Sequence, residues 1–229
     1  MFRCVKLCAY AALSVAVLAG FSARAHKPLP FEGSYGDANE ALYVEHIDVS
    51  QVIYYELSAK QPQLWLTFDK EAEQDLYLSL GVPVIERLAG YRPAVAVLGP
   101  GLPKAPLPFA IPEGFGALVF DTSDDASPEE FHEPVTGTDS WVLFKQTVAL
   151  PGSGRHYVVA YSPTGKPEKL WVAIGLREAF GMGDVIGLPA TVRRVRAFHE
   201  LAGQPRWLTI SAGIGLTLVG LAFVWLFAR

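Results

Sequence analysis

The sequence predicts an all-β fold, a sandwich or jelly roll of about eight strands, followed by one C-terminal transmembrane helix. Three observations predict it. Between Glu40 and Gly175 the chain is a series of short segments rich in Val, Ile, Tyr, Trp and Phe, separated by Pro and Gly. The helical pattern that a βαβ fold places between strands is missing. From Trp207 to Ala228 there are 22 residues without a charge, enough at about 1.5 Å per residue to cross a bilayer core of about 30 Å.

The predicted strands are Val52–Leu57, Gln63–Asp69, Leu76–Val82, Ala94–Leu98, Ala117–Asp121, Trp141–Leu150, His156–Tyr161 and Leu170–Gly175. Several alternate. In Gln63–Phe68, Leu64, Leu66 and Phe68 share one face, as a strand with one buried side requires. Gly99-Pro100-Gly101, Pro151-Gly152-Ser153-Gly154 and Pro163-Thr164-Gly165 supply the turns. Two Pro-bearing loops separate the middle strands, and the second includes the acidic stretch Asp121–Glu133, read as a mobile loop.

The chain divides into five segments: a signal peptide (1–25), an extended leader (26–41), an extracytoplasmic sandwich (42–180), a basic juxtamembrane segment (181–206) and the transmembrane helix (207–228). Arg3 and Lys6, an apolar run from Leu7 to Phe21, and the small-residue site Ala23-Arg24-Ala25 are the layout of a secretory signal peptide cleaved after Ala25. An uncleaved anchor is the alternative, but the run is short for a span. Trp207 and Trp225 near the ends of the C-terminal run suit the membrane interface. This topology leaves the bulk of the chain on the periplasmic or extracellular side of a bacterial cytoplasmic membrane, single-pass. Arg193, Arg194, Arg196 and Arg206 then lie on the translocated side, against the usual excess of Lys and Arg inside.

Both cysteines, Cys4 and Cys8, fall in the signal segment, so the mature chain has no disulfide and no thiolate chemistry. Charge is segregated. Residues 26–192 hold 11 Lys+Arg and 22 Asp+Glu, a net of −11, whereas 193–206 hold four Arg against Glu200 alone. An acidic body argues against nucleic-acid binding. The basic collar suits either anionic headgroups or a solvated linker.

The segment order resembles the pre-peptidase C-terminal type of β-sandwich over roughly residues 60–176. The matching pieces are the aromatic-bearing strand Leu64–Phe68, the strand Leu76–Pro83 running into Gly-Val-Pro, and the strand Val95–Gly101 ending in Gly-Pro-Gly. Gly154-Arg155-His156-Tyr157-Val158-Val159 and a closing Leu170–Gly175 strand complete the set. The Gly-x-x-Tyr piece is one residue longer than the family's Gly-x-Tyr. The resemblance implies a binding or accessory module, typically an appendage of secreted proteins, and carries over no catalytic residue.

No catalytic motif stands out. Gly152-Ser153-Gly154 lacks the Gly-x-Ser-x-Gly spacing of a nucleophile elbow, and Gly99-Pro100-Gly101 lacks the N–H groups and the following Lys-Ser/Thr of a phosphate loop. Asp121, Asp124, Asp125, Glu129 and Glu130 are oxygen ligands of the kind calcium takes, without the spacing of a calcium loop. A sharper metal candidate is His26. After cleavage at Ala25 its α-amino nitrogen and Nδ1 form a chelate, and a second imidazole completes three nitrogens suited to Cu(II). That arrangement resembles the histidine brace of periplasmic copper proteins, which also sits on β-sandwiches. His132 is the candidate second ligand, with His46 or His156 as substitutes; His199 lies too near the membrane. No other cofactor is expected.

Two functional classes remain: a membrane-tethered accessory module that binds a protein partner, and a copper-handling protein built on His26. An adhesive or spacing domain is a third. Aromatic residues such as Tyr54, Tyr55, Trp65 and Trp141 suffice for a core with an exposed patch left over. In the C-terminal run, Ser211/Gly215 and Gly213/Thr217 are small residues four apart that permit close packing with another membrane helix.

Overall fold

Strand alternation closes two sheets face to face. The structure, a computed structural model, describes residues 26–30, 33–71, 74–124, 127–179 and 182–203. The expected signal peptide and transmembrane helix lie outside the described residues, among which no helix is long and apolar enough to cross a membrane.

Eleven strands are present among the described residues: β1 (Lys27–Pro28), β2 (Leu42–Tyr43), β3 (Gln51–Glu56), β4 (Gln63–Lys70), β5 (Leu76–Pro83), β6 (Ala94–Gly99), β7 (Gly116–Phe120), β8 (Glu129–Glu133), β9 (Thr138–Val148), β10 (Gly154–Tyr161) and β11 (Lys169–Ile174). One sheet runs β1-β3-β11-β5-β9-β8, the other β2-β4-β10-β6-β7. The eight expected strands are all there, within a few residues at their ends. Three short ones, β1, β2 and β8, join them.

The period-two pattern decides which residues meet between the sheets. Ile53 and Tyr55, Leu64, Leu66 and Phe68, Leu76, Leu78 and Leu80, Val95 and Val97, and Leu170, Val172 and Ile174 form one buried cluster. The neighbours in sequence point outward, and they too are apolar. Trp65, Ala94, Ala96, Leu98, Ala117, Val159 and Tyr161 line the outer face of the five-stranded sheet. Val52, Trp171 and Ala173 line that of the six-stranded sheet. Outer faces this apolar need covering.

Two different elements cover them. The Pro-bearing loop between β6 and β7 lies across the five-stranded sheet as a strap. Ala105, Leu107, Phe109 and Ile111 pack inward on that sheet. The strap begins close to β7. Ala117 N–H donates to Pro103 O at 2.8 Å, and a Cβ at Gly116 would stand 1.9 Å from Leu102 O, so only glycine fits.

The six-stranded face is covered by helix α1 (Met182–Phe198). Val192 and Val195 are buried, and Phe198 and His199 pack their rings on Tyr54 at 5.3 and 5.8 Å. The basic segment is thus largely a helix seated on the sandwich. Two further segments find strand partners. Glu129–Glu133, in the stretch read as a mobile loop, is an edge strand paired with β9. Lys27-Pro28, in the leader read as extended, pairs in parallel with Gln51-Val52.

Candidate functional site

The five histidines take up separate positions. His26 precedes β1 at one edge of the six-stranded sheet. Its Nδ1 lies 2.6 Å from Ser50 Oγ, and burial lowers its pKa. His132 is in β8, at the opposite edge of the same sheet, with Nδ1 2.7 Å from Asp139 Oδ1. Five strand spacings of about 4.8 Å separate the two edges, about 24 Å in all. Two ligands of one ion lie within about 4 Å of each other, so the structure does not bring His26 and His132 together.

The other histidines occupy further settings. His46 sits on an exposed loop, its backbone carbonyl accepting from Gln51 Nε2 at 2.7 Å. His156 is fully buried between the sheets, stacked on Phe68 at 5.7 Å and 2.9 Å from Gly154 O through Nδ1. Alternation alone leaves its facing open; it points into the core, and burial lowers its pKa. A Cβ at Gly99 would stand 2.2 Å from its ring, so β6 carries glycine there to make room. Among the described residues no three His, Cys, Asp or Glu side chains cluster as a metal site. Of the acidic residues weighed for calcium, Asp121 accepts the Ser123 N–H, Glu129 pairs with Lys145, and Glu130 accepts from Trp141 Nε1.

The constellation that brings charged groups together lies at the end of α1. The helix stops by a Schellman pattern: Glu200 N–H donates to Ala197 O at 3.0 Å and Leu201 N–H to Arg196 O at 2.8 Å. Glycine usually takes the left-handed residue of that motif. Here it is Glu200, at φ 60°, the positive-φ non-glycine among the described residues. Its carboxylate is held at both oxygens, by Arg87 at 2.9 and 2.6 Å and by Lys169 at 2.8 Å. Arg87 foremost, then Lys169, draw its pKa down to about 2. Lys169 Nζ, nearly buried, also donates to Phe198 O at 3.1 Å and so caps the helix end. Arg196 donates to the Thr136 and Gly137 carbonyls at 3.1 and 3.2 Å, pinning the β8–β9 turn to the helix.

His199 completes this latch. It is 4% exposed, with Nδ1 2.8 Å from Val195 O and Nε2 3.1 Å from Ser140 Oγ. Burial lowers its pKa, and Lys169 adds to that, against the Val195 carbonyl and Asp139. Nearby, burial raises the pKa of Glu133. Sequence reasoning missed Arg87, Lys169 and Glu200 because 31 and 113 residues separate them.

On the opposite sheet an exposed cluster forms at the β2 edge. Arg155 bonds Asp69 at 2.8 and 3.2 Å, lies 5.8 Å from the centre of the Tyr43 ring, and Tyr43 donates to Asp69 at 3.3 Å. Tyr43 is 50% exposed. Tyrosine and arginine so displayed have the chemistry of protein-interface anchors.

Comparison with known proteins yields a fold likeness. A solved structure of the pre-peptidase C-terminal domain of a collagenase from Bacillus anthracis matches 58% of this chain and 92% of its own length. Identity is 12% and the TM-score 0.28. That domain is of the type that the segment order resembles. The likeness concerns fold alone. No family model matches the chain, and no curated protein does.

Proposed function

We propose that this chain is a membrane-anchored extracytoplasmic β-sandwich that serves as a binding or accessory subunit of a membrane or envelope complex. It is single-pass in a bacterial cytoplasmic membrane, with the sandwich on the periplasmic side. The observation that carries the reading is the latch at the end of α1. Arg87, Lys169 and Glu200 fix where the helix stops, a short stretch of chain ahead of the uncharged 207–228 run. Fixing the end of the helix sets where the chain leaves the sandwich for the segment beyond it. The exposed Tyr43–Asp69–Arg155 cluster supplies a surface for a protein partner.

The copper reading has less behind it. A metal on His26 would have to displace Ser50 from Nδ1 and find its second imidazole elsewhere than His132.

Affinity purification of the full chain from detergent-solubilised membranes, at native expression, tests the proposal. A partner recovered in fixed stoichiometry, and reduced at least about tenfold by Arg155→Ala, is the expected result. Recovery of the chain alone and monomeric would overturn it.

A further inference from the structure

Strand register shapes the face that lies under the strap. Trp65 on β4 stands beside Val159 on β10, which stands beside Ala96 on β6. Tyr157 and Tyr161 flank Val159 along β10, so aromatic rings wall one side. Ala94 and Ala96 on β6 and Ala117 on β7 leave a shallow trough next to them. Residues 102–112 lie over it. Pro103, Pro106, Pro108 and Pro112 fix φ there, and each biases the residue before it to extended backbone. Three of those preceding residues, Ala105, Leu107 and Ile111, are among the ones that pack inward. Hydrogen bonds hold the strap near its ends: Ala117 N–H donates to Pro103 O at 2.8 Å and Phe115 N–H to Pro112 O at 3.3 Å. Among the described residues, nothing is hydrogen-bonded to residues 104–111 in between. The fit is also incomplete. Trp65 is 2% exposed, yet its indole N–H finds no acceptor, and an unsatisfied buried donor costs stability.

We propose that this trough is a binding groove for a proline-rich, extended segment of a partner protein, and that the strap fills it as an intramolecular stand-in that the partner displaces. Aromatic-walled grooves take such segments because proline has already fixed their backbone, so little entropy is lost on docking. The strap displays the composition that suits the groove: inward apolar residues on a proline-spaced backbone. A free segment has an advantage over it. The strap is tied to β7 at Pro103 and to its own turn at Pro112, whereas a free segment can slide to bring a carbonyl to Trp65 Nε1. That difference in interaction is what shifts the strap from closed to displaced. The groove is continuous with the exposed cluster. Arg155 and Asp69 lie opposite each other on the same face, one row beyond Tyr157 and Thr67. The inference rests on the reading of the chain as a binding subunit and deepens it; it does not need the tether.

The test titrates the full mature chain, in detergent micelles, against a fluorescent synthetic peptide of residues 102–112 and reads anisotropy. The parent binds it weakly, because the tethered strap competes at a high effective concentration. Phe109→Ala removes the strap's ring contacts with Trp65 and Tyr161. It is expected to tighten peptide binding at least about tenfold. Pro106→Gly with Pro108→Gly loosens the strap and keeps its inward residues, so it should tighten binding about threefold even where Phe109→Ala disturbs the fold. Adding Trp65→Phe to that variant removes the indole donor and should weaken binding about fivefold. A peptide with its prolines replaced by alanine should bind at least about tenfold more weakly. Equal affinity in the parent and both strap variants, for both peptides, or with and without the indole, overturns the inference. So does a parent chain that is dimeric until Phe109→Ala makes it monomeric, which would assign the groove to a second copy's strap. Partner recovery from membranes separates the two readings. A chain that recovers its partner and takes no peptide loses this inference alone, and one that does neither loses the binding reading as well.

Discussion

The two outer faces of the sandwich solve the same problem with different materials. Over the five-stranded sheet lies a strap whose inward residues are Ala105, Leu107, Phe109 and Ile111, with Phe109 packed on Trp65 and Tyr161 through edge-to-face ring contacts at 5.4 and 5.2 Å. Over the six-stranded sheet lies a helix held by His199, Lys169, Glu200 and Arg87 as much as by Val192 and Val195. One cover is apolar and therefore indifferent to pH and salt. The other is tied down by groups that titrate and by ion pairs that salt screens. The difference teaches where the molecule can respond to its surroundings.

The largest effects should come from removing the tryptophan beneath each cover. Trp171 lies against Gly81, where a Cβ would stand 2.3 Å from its ring, so no side chain at that neighbour can fill the space it leaves. Trp65 supports Phe109 and Tyr157. Trp171→Ala and Trp65→Ala should each lower stability by about 3–5 kcal/mol in urea unfolding. A loss below about 1 kcal/mol for either would mean that its face is not a second core but a loosely covered surface.

A smaller effect should divide the faces by pH. A histidine buried neutral binds its proton more readily in the unfolded chain than in the folded one. Folding stability is then complete above the ordinary imidazole pKa of about 6.5 and is lost as pH falls toward the depressed folded value. His26, His156 and His199 all have pKa values lowered by burial, so acidification below about 6.5 should destabilise the whole domain. His199 adds a local term of up to about 1.4 kcal/mol per pH unit to the opening of α1. Hydrogen exchange at about pH 7 and about pH 5.5, on either side of the imidazole pKa, should show α1 loosening ahead of β6 and β10. His199→Gln should remove that lead. If α1 and the strap loosen together in the parent, the asymmetry between the covers is wrong.

The same contrast explains what the sequence makes legible. Alternation is local, so Leu64, Leu66 and Phe68 announce β4 without reference to any partner. β8 could not be read that way, because Glu-Glu-Phe-His-Glu has the composition of a solvated loop. It is a strand because β9 runs beside it, and its charges keep an exposed sheet edge from pairing with other chains. α1 was hidden by its composition. Pro189 and neighbouring glycines weaken the helical signal, and the arginines read as a headgroup collar or a solvated linker, whereas Val192, Val195 and His199 at spacings of three and four are its buried stripe. The candidate metal pair is set apart for the opposite reason. Residue type put His26 and His132 together, and the strand order, which no single segment encodes, put them at opposite edges.

The smallest effect tests the latch itself. Glu200 adopts a left-handed conformation that costs a non-glycine residue about 1 kcal/mol, and its carboxylate offsets part of that through Arg87 and Lys169. The carboxylate is 43% exposed, so water screens the pairs and their net contribution is about 1 kcal/mol at low salt despite the strongly lowered pKa. Its sign is that of any depressed carboxyl: present above the ordinary carboxyl pKa, lost as pH falls toward about 2. Glu200→Ala loses the pairs and keeps the backbone cost, whereas Glu200→Gly loses the pairs and removes the cost. The alanine variant should therefore be less stable than the parent by about 1 kcal/mol at low salt, and the glycine variant close to the parent. Raising the salt should bring the parent down toward alanine and leave the two variants about 1 kcal/mol apart. If alanine and glycine coincide, the left-handed stop carries no strain, and the clamp serves the position of the chain's exit alone.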